Sequence, residues 1–202
     1  MASKKTFDIE NRTFRLVFSA VMVALATVLS VIPVMALPFG GSVTLFSQVP
    51  IIAVSWIFGI PWGLATGFVY SIMQILFGGI GNFSYVQGML AYTILVFADY
   101  VVPFTCLGFG GMFKNTIKNT YLAAVTGTVL VCVIRFISHF ISGATIWTEY
   151  APDTVWNAVF AYSASYNASY MVPETFISAI GICAVVALWD RFVKSQSAKA
   201  AA

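Results

Sequence analysis

The sequence predicts an all-α integral membrane protein, a bundle of six transmembrane helices with the N- and C-termini in the cytoplasm. No charged side chain and no histidine occurs between Arg15 and Asp99. The chain is 60% hydrophobic and 8% charged, whereas a soluble domain is about one-quarter charged. A bilayer selects for this depletion because an ionisable group at its centre costs roughly 2.5–3.5 kcal/mol.

The first three apolar segments cover residues 16–34, 43–58 and 62–77. Pro33 and Pro38 end the first segment, because proline disfavours continuation of a helix. The Gly-Ile-Pro turn at 59–61 separates the second segment from the third, and the glycine-rich stretch 78–82 ends the third.

The last three apolar segments cover residues 86–109, 121–146 and 166–189. Each is long enough to cross a bilayer, which requires about 20 residues in a helix. Gly110 and Gly111 end the fourth segment. We expect the six helices to form one membrane domain over residues 1–202, since a chain of 202 residues holds one compact bundle and little else.

The basic residues indicate the orientation. They form three clusters, before the first span, after the fourth and after the sixth: Lys4, Lys5, Arg12 and Arg15; Lys114 and Lys118; Arg191, Lys194 and Lys199. With six spans, all three clusters fall on one side, which the positive-inside rule makes cytoplasmic. The loop before the sixth span carries only Glu149 and Asp153 and falls outside. A cleavable signal peptide ending near Val34-Met35-Ala36 is the alternative for the first segment, and it would leave five spans.

Ionisable groups inside apolar segments are candidates for function. Arg135 and His139 are four residues apart, so they share one helix face. An ion pair between Asp99 and Arg135 would offset two costly charges at once. The pair either joins two helices only, or lies at the floor of a wet cavity where Asp99 also faces a ligand. Glu174, after Pro173, faces that cavity or the outer boundary.

Aromatic and amide side chains are concentrated in the predicted outer half. Many of them fit the interfacial belt of Trp and Tyr that membrane proteins carry. The segment 162–167, Tyr-Ser-Ala-Ser-Tyr-Asn, is unusually polar for a lipid-facing helix. A carboxylate, an imidazole, an amide and several rings at one depth suit a flat, polar, cationic organic molecule.

Several motifs together resemble a known family, the thiamine-specific substrate-binding (S) components of energy-coupling factor (ECF) transporters, the ThiT/YuaJ family. The motifs lie at residues 40–43, 62–67, 99–102, 135–143 and 162–173. The spacings from His139 to Trp147 and from Tyr162 to Asn167 also match the family pattern. The resemblance covers nearly the whole chain and implies six transmembrane helices with a thiamine pocket near the outer face.

The resemblance also implies roles for individual residues. Asp99 takes the place of the carboxylate that engages the ligand, with Tyr100 beside it in the motif and Arg135 at a neighbouring basic position. The other implied pocket residues are His139, Trp147, Tyr162, Asn167 and Tyr85. Relatives that carry a Trp in the loop after the first span have it near Gly41 of this chain, so we expect the lid contact from Phe39. Glu174 has no counterpart in the family pattern.

The resemblance further implies partners. Ala20 and Ala24 correspond to a patch that contacts a transmembrane coupling subunit, although small residues four apart equally suit packing inside the bundle. The chain has no G-x-x-x-x-G-K-[ST] phosphate loop, so we expect two partner ATPase subunits to supply energy. We expect no cofactor, no metal and no nucleic-acid partner.

Two other functions remain open. One is an S component for another vitamin or precursor, such as hydroxymethylpyrimidine or riboflavin, although a neutral ligand would not require Asp99. The other is an intramembrane enzyme. Ser138 adjoins His139, but neighbouring helix residues point about 100° apart and do not form a nucleophile–base pair. No H-E-x-x-H motif is present, and we therefore do not expect an enzyme.

Overall fold

The computed structural model describes residues 10–152 and 155–201. Lys4, Lys5 and Asp153, which entered the orientation argument, lie outside these residues. Within them the chain forms six helices and one β-hairpin. The elements are α1 (Arg12–Ser30), β1 (Pro33–Ala36), β2 (Ser42–Thr44), α2 (Val49–Phe58), α3 (Ile60–Ser84), α4 (Met89–Phe109), α5 (Thr120–Gly143) and α6 (Trp156–Ala201).

Five of the six helices are long and apolar enough to cross a membrane. The exception is α2, whose ten residues span about 15 Å at 1.5 Å per residue, about half of a hydrocarbon core. The predicted second span, 43–58, is therefore wrong at its start. Residues Ser42–Thr44 are extended because their backbone pairs with β1, which the apolar composition of this stretch did not indicate.

The hairpin β1–β2 follows directly from the end of α1. The first helix ends at Ser30 rather than at residue 34, because Pro33 begins a strand and disfavours helix in the residue before it. The strands are antiparallel, and the Leu37 amide donates to the Gly41 carbonyl at 2.7 Å. At the tip Phe39 has a φ of 64°, a left-handed conformation that is uncommon for a bulky residue.

Two helices change pitch halfway along their length. Helix α3 passes through a π-helical turn at Ile75–Gly79 and ends in a 3₁₀ turn at Ile80–Ser84, so it continues beyond the predicted limit at residue 77. Helix α4 contains a π-helical turn at Leu95–Val101. Pro103 follows it and has no N–H to donate to the carbonyl of Asp99, which favours a departure from α-helical bonding there.

The described members of the three basic clusters lie at one end of the bundle, as predicted. Near the start of α1, the Arg15 guanidinium stacks over Phe58 at 5.5 Å from the ring centre, and Phe18 contacts Trp189 of α6. Lys114, between α4 and α5, donates to the Trp56 carbonyl at 2.7 Å. Burial lowers the pKa of Lys114 below its ordinary value, and the charge of Asp190 opposes that effect.

The main core lies toward the same end. It is formed by side chains of α1, α2, α3, α4, α5 and α6, with Ile51, Ile52 and Leu107 fully buried. The turn after α4 packs so closely against α5 that a Cβ on Gly127 would overlap the Gly110 carbonyl oxygen. Helix α6 packs along α5 and extends beyond the predicted 166–189 at both ends, because apolar length indicates only the part within the lipid.

Candidate ligand-binding cavity

A cavity of about 340 Å³ opens at the end of the bundle opposite the basic clusters. The end of α1, the hairpin, the irregular parts of α3 and α4, the C-terminal half of α5 and the N-terminal half of α6 surround it. Seven of the eight predicted ligand-binding residues line it: Asp99, Tyr100, Arg135, His139, Trp147, Tyr162 and Asn167.

The carboxylate of Asp99 lies on the π-helical turn of α4 and faces the end of α5. Its Oδ1 lies 3.1 Å from Nδ1 of His139, and its Oδ2 accepts hydrogen bonds from Ser142 Oγ at 2.7 Å and Trp147 Nε1 at 3.1 Å. The side chains of Asp99 and His139 are 14% and 13% exposed. Three partners therefore orient a carboxylate that remains accessible from the cavity.

The predicted ion pair between Asp99 and Arg135 is wrong. Arg135 pairs instead with Glu174 of α6, with Nη1 3.6 Å from Oε2. Arg135 and His139 share a face of α5, and the helix places them one turn apart, about 6 Å along its axis. The cavity therefore contains two separate polar pairs at two depths, Asp99–His139 and Arg135–Glu174. The spacing of Arg135 and His139 along α5 does not reveal which residues of α4 and α6 lie at the same depth in the bundle.

The pair Arg135–Glu174 is the more buried of the two, at 5% and 6% side-chain exposure. Glu174 Oε1 accepts a hydrogen bond from Thr44 Oγ1 of β2 at 2.7 Å. The guanidinium carbon of Arg135 lies 5.1 Å from the centre of the Phe104 ring. Nε and Nη1 of Arg135 are buried and make no hydrogen bond within the described residues. The Arg135 guanidinium is therefore held by an ion pair and a ring contact, and is incompletely hydrogen-bonded within the described residues.

The polar segment predicted at 162–167 forms one wall, and Tyr170 extends it. Asn167 is buried, donates from Nδ2 to the Ser163 carbonyl at 2.8 Å, and accepts at Oδ1 from the Tyr170 hydroxyl at 2.7 Å. Tyr166 donates its hydroxyl proton to the Pro38 carbonyl and accepts from the Gly41 amide at 3.0 Å. Helix α6 thus carries polar groups toward the cavity and ties down the hairpin tip.

Aromatic rings cluster at the mouth of the cavity. Phe39 lines the cavity, as expected for a residue that replaces a loop Trp. Its ring centre lies 6.2 Å from Trp147 and 5.9 Å from Tyr85. Tyr85 does not line the cavity and is 48% exposed, so the structure places it behind the other two rings and not in the wall. Tyr85 directly follows the 3₁₀ turn Ile80–Ser84.

Tyr100 is packed within the cavity wall, and its hydroxyl is already hydrogen-bonded. It is 6% exposed, and its hydroxyl accepts a hydrogen bond from Nδ2 of Asn82 at 2.8 Å. A Cβ on Gly79 would lie 2.5 Å from its ring, so the two π-helical turns are in close contact here. The packing explains why this part of α3 must contain glycine.

Sequence reasoning did not assign several cavity residues. The sequence left open whether Glu174 faces the cavity or the outer boundary, and the structure places it in the cavity. Thr44, Ser47, Gln74, Asn82 and Tyr170 also line the cavity. A polar residue within an apolar segment was the available signal for each of them, but that signal does not distinguish the cavity from helix packing.

The predicted partner-binding residues lie on α1. Ala20 and Ala24 are both exposed, on a face that also carries Val17, Val21 and Val28. The interpretation that they pack inside the bundle is therefore wrong within this chain. The buried residues of α1 lie on the other face.

The cavity combines an outer part that contains the Asp99 carboxylate, aromatic walls, and an inner part where Arg135 pairs with Glu174. A desolvated carboxylate and ring faces both attract an organic cation. No group of three or more His, Cys, Asp or Glu side chains that could hold a metal ion occurs in the part of the chain that the structure describes. The arrangement therefore suits binding of a cationic, ring-containing molecule.

Comparison with known proteins gives concordant matches. A family model described as "Thiamine transporter protein (Thia_YuaJ)" matches residues 16–194. "Thiamine transporter ThiT" of Bacillus subtilis (strain 168) is 31% identical over 195 residues, covering 91% of this chain and 96% of that protein. "Thiamine transporter ThiT" of Lacticaseibacillus paracasei is 26% identical, covering 70% and 73% of the two chains.

Two solved structures share the fold. A structure of ThiT from Listeria monocytogenes matches with a TM-score of 0.69 at 21% identity, covering 89% of this chain and 97% of that one. A structure of the S component of a bacterial ECF transporter matches with a TM-score of 0.59 at 17% identity, covering 91% and 98%. Both support the helical membrane bundle.

Proposed function

Because this chain belongs to the thiamine transporter protein family, we propose that it is the membrane subunit that captures thiamine at the outer face for ATP-driven uptake. It is a multi-pass protein of the bacterial plasma membrane. Transport, and not catalysis, is the activity of this family.

The single observation that carries the proposal is the environment of Asp99. Thiamine consists of an aminopyrimidine ring joined to a thiazolium ring that bears a permanent positive charge. Asp99 presents an oriented carboxylate in a cavity walled by Trp147, His139 and Tyr162. A buried carboxylate and ring faces act together on a flat cation, whereas a neutral vitamin would bring no charge to pair with this carboxylate.

The proposal extends to the partners of the chain. We expect a transmembrane coupling subunit to dock on the α1 face that exposes Ala20 and Ala24, and two ATPase subunits to supply energy from ATP. The structural relative described as an S component of an ECF transporter supports this scheme. Small exposed residues four apart permit close approach of a second helix within lipid.

The test is a binding titration of the purified subunit in detergent, read by intrinsic tryptophan fluorescence. Trp147 lines the cavity, so thiamine should quench the emission, and Trp147→Phe should remove most of that quenching. Trp156→Phe is the matched control, because Trp156 is 67% exposed and lies outside the cavity wall.

The ligand panel also contains riboflavin and hydroxymethylpyrimidine. The proposal predicts saturable quenching with thiamine at concentrations where these two have no effect. Quenching by either of them without quenching by thiamine would overturn it and identify the chain as an S component for a different ligand. Isothermal titration calorimetry checks that the quenching reports binding.

A further inference from the structure

The π-helical turn of α4 leaves one backbone carbonyl without its usual partner. At the end of the turn, the Val102 N–H donates to the carbonyl of Phe97, five residues back, and not to that of Ala98, four residues back. In the same register the Ala98 carbonyl would accept from residue 103, which is proline and has no N–H. Ala98 therefore lacks both of the backbone donors that a helix supplies, and an unpaired carbonyl is costly within a membrane.

Helix α5 supplies the missing donor. The Ser138 hydroxyl donates to the Ala98 carbonyl at 2.7 Å, and Ser138 is only 7% exposed. One turn farther along the same face of α5, the Ser142 hydroxyl donates to Oδ2 of Asp99 at 2.7 Å. Two serines of α5 thus hold two neighbouring residues of α4, one by its backbone and the other by its carboxylate.

The bond to Ser138 favours the π-helical turn over an α-helical one. Without it, the Ala98 carbonyl would be free to accept from the Val102 N–H, four residues on, and to close the turn into an α-helix. A π-helical turn contains about one residue more than an α-helical turn, and one residue corresponds to about 100° of rotation about the axis. Asp99 lies within the turn, so its direction relative to α5 depends on which register is formed.

We propose that Ser138 is a positioning residue for ligand binding, which acts on the ligand through Ala98 and Asp99. Asp99 lines the cavity, whereas Ser138 and Ser142 do not, so Ser138 exerts its effect without contacting a bound molecule. Its hydroxyl replaces the N–H that Pro103 lacks and thereby fixes the direction of the carboxylate. The inference rests on the proposed function, in which that carboxylate attracts the thiazolium cation.

The first test compares Ser138→Ala with Ser138→Thr by calorimetry with thiamine. The alanine variant lacks the donor, and we expect it to bind thiamine about fivefold more weakly or worse, as is usual for loss of one hydrogen bond. The threonine variant keeps a hydroxyl and should recover most of the affinity. Ser138→Cys, which offers only a weak donor, takes the place of the alanine variant if that variant does not fold.

Thr128→Val is the matched control for these variants. Thr128 is a fully buried residue of α5 that lies outside the cavity wall. Its hydroxyl donates to the Ala124 carbonyl of the same helix at 2.9 Å and therefore holds no other helix in place. Loss of this buried hydroxyl should leave the affinity for thiamine unchanged.

A double-mutant cycle with Asp99→Asn separates positioning from a general loss of stability. Asparagine at this position removes the charge that Ser138 directs. The effect of Ser138→Ala on thiamine affinity should therefore shrink to less than about twofold in the Asp99→Asn background, because the two residues are coupled. A bundle that was merely destabilised would lose affinity to the same extent in both backgrounds.

A second readout needs no ligand. The Trp147 indole N–H donates to Oδ2 of Asp99 at 3.1 Å, so a change in the direction of the carboxylate alters the environment of this ring. The subunit is labelled with fluorotryptophan, and Trp147→Phe assigns the fluorine resonance of Trp147. That resonance should shift in Ser138→Ala and keep its position in Ser138→Thr and Thr128→Val.

Each result decides the inference. Equal affinity of wild type and Ser138→Ala, an equal loss in the alanine and threonine variants, or an undiminished loss in the Asp99→Asn background overturns the role of Ser138 and leaves the proposed function intact. An unshifted Trp147 resonance in Ser138→Ala also overturns it. If the wild type does not bind thiamine, the proposed function is rejected, and the fluorine measurement still decides whether Ser138 positions Asp99.

Discussion

The side chain of Asp99 is held in place by three neighbouring side chains. Its two oxygens offer about four acceptor positions, and His139, Ser142 and Trp147 occupy three of them. These contacts replace much of the water that a carboxylate loses in a membrane and hold the group in one orientation. A positive ligand then gains electrostatic attraction without first having to order the carboxylate.

Replacing Asp99 tests this directly. Asp99→Asn keeps the shape of the side chain but removes its charge, so thiamine affinity should fall by at least about an order of magnitude, since a hydrogen bond to a charged group contributes roughly 1.5–3 kcal/mol. Quenching titrations and calorimetry measure the change. Unchanged affinity in a variant that elutes as a folded monodisperse protein would instead assign Asp99 to helix packing. Glu149→Gln is the control for loss of one acidic residue.

At the scale of elements, the hairpin β1–β2 closes one side of the cavity mouth. Its tip contains Phe39 in a left-handed conformation, and Tyr166 of α6 holds the tip by bonds to the Pro38 carbonyl and the Gly41 amide. A Cβ on Gly41 would lie 2.6 Å from the Tyr166 hydroxyl. The position therefore requires glycine for close approach.

Removal of that hydroxyl should loosen the tip. Tyr166→Phe retains the ring and loses both hydrogen bonds, so we expect thiamine to dissociate several-fold faster, because each such bond contributes about 1 kcal/mol. Stopped-flow quenching measures the rate, and hydrogen exchange should increase at residues 37–41. Tyr162→Phe tests whether any tyrosine hydroxyl in this wall has the same effect. A dissociation rate like the wild type's would contradict the role of Tyr166.

We expect the exposed face of α1 to dock a partner subunit and not to take part in ligand binding. Ala20→Trp and Ala24→Trp place a bulky ring where we expect the coupling subunit, so both should bind thiamine normally in the isolated subunit but abolish uptake in cells that contain the complete transporter. Ile180→Trp, which alters an exposed position of α6, should spare uptake. Loss of thiamine binding in the alanine variants would show that this face supports the cavity instead.

The whole molecule has a densely packed end and an open end. Glycine contacts such as Gly127 against Gly110 join α5 to the turn after α4 at the end with the basic clusters. The opposite end leaves a cavity of about 340 Å³ between α3, α4, α5 and α6. We propose that this division separates thiamine binding from the driving of transport, because the residues proposed to bind thiamine all belong to the chain itself.

We therefore expect binding to need neither ATP nor partners. The purified subunit in liposomes should bind thiamine equally with and without ATP and magnesium, and it should not accumulate thiamine inside. Accumulation should begin when the coupling and ATPase subunits are reconstituted with it. Radiolabelled thiamine retained on filters, with and without a pore-forming detergent, separates the two activities. ATP-dependent accumulation by the isolated subunit would overturn this division of function.

The sequence by itself determined that this chain is a membrane bundle and which residues are exceptional in it. The free energy of transferring a segment into lipid depends on its local composition. It explains the depletion of charge, the length of the apolar segments and the positions of Lys and Arg. For the same reason Asp99, Arg135 and His139 stood out as functional candidates. Motif spacing added Trp147, Tyr162 and Asn167, all of which line the cavity.

Only the tertiary structure decided which charges meet. Arg135 pairs with Glu174 and not with Asp99, because the partner of a side chain depends on the depth and rotation of a helix far away in the sequence. The same holds for the hairpin, whose strands form because backbone groups pair across a turn, and for Tyr85, which misses the cavity. Composition indicates whether a segment lies in lipid or in water. Contacts between helices depend instead on the depth and rotation of every helix in the bundle.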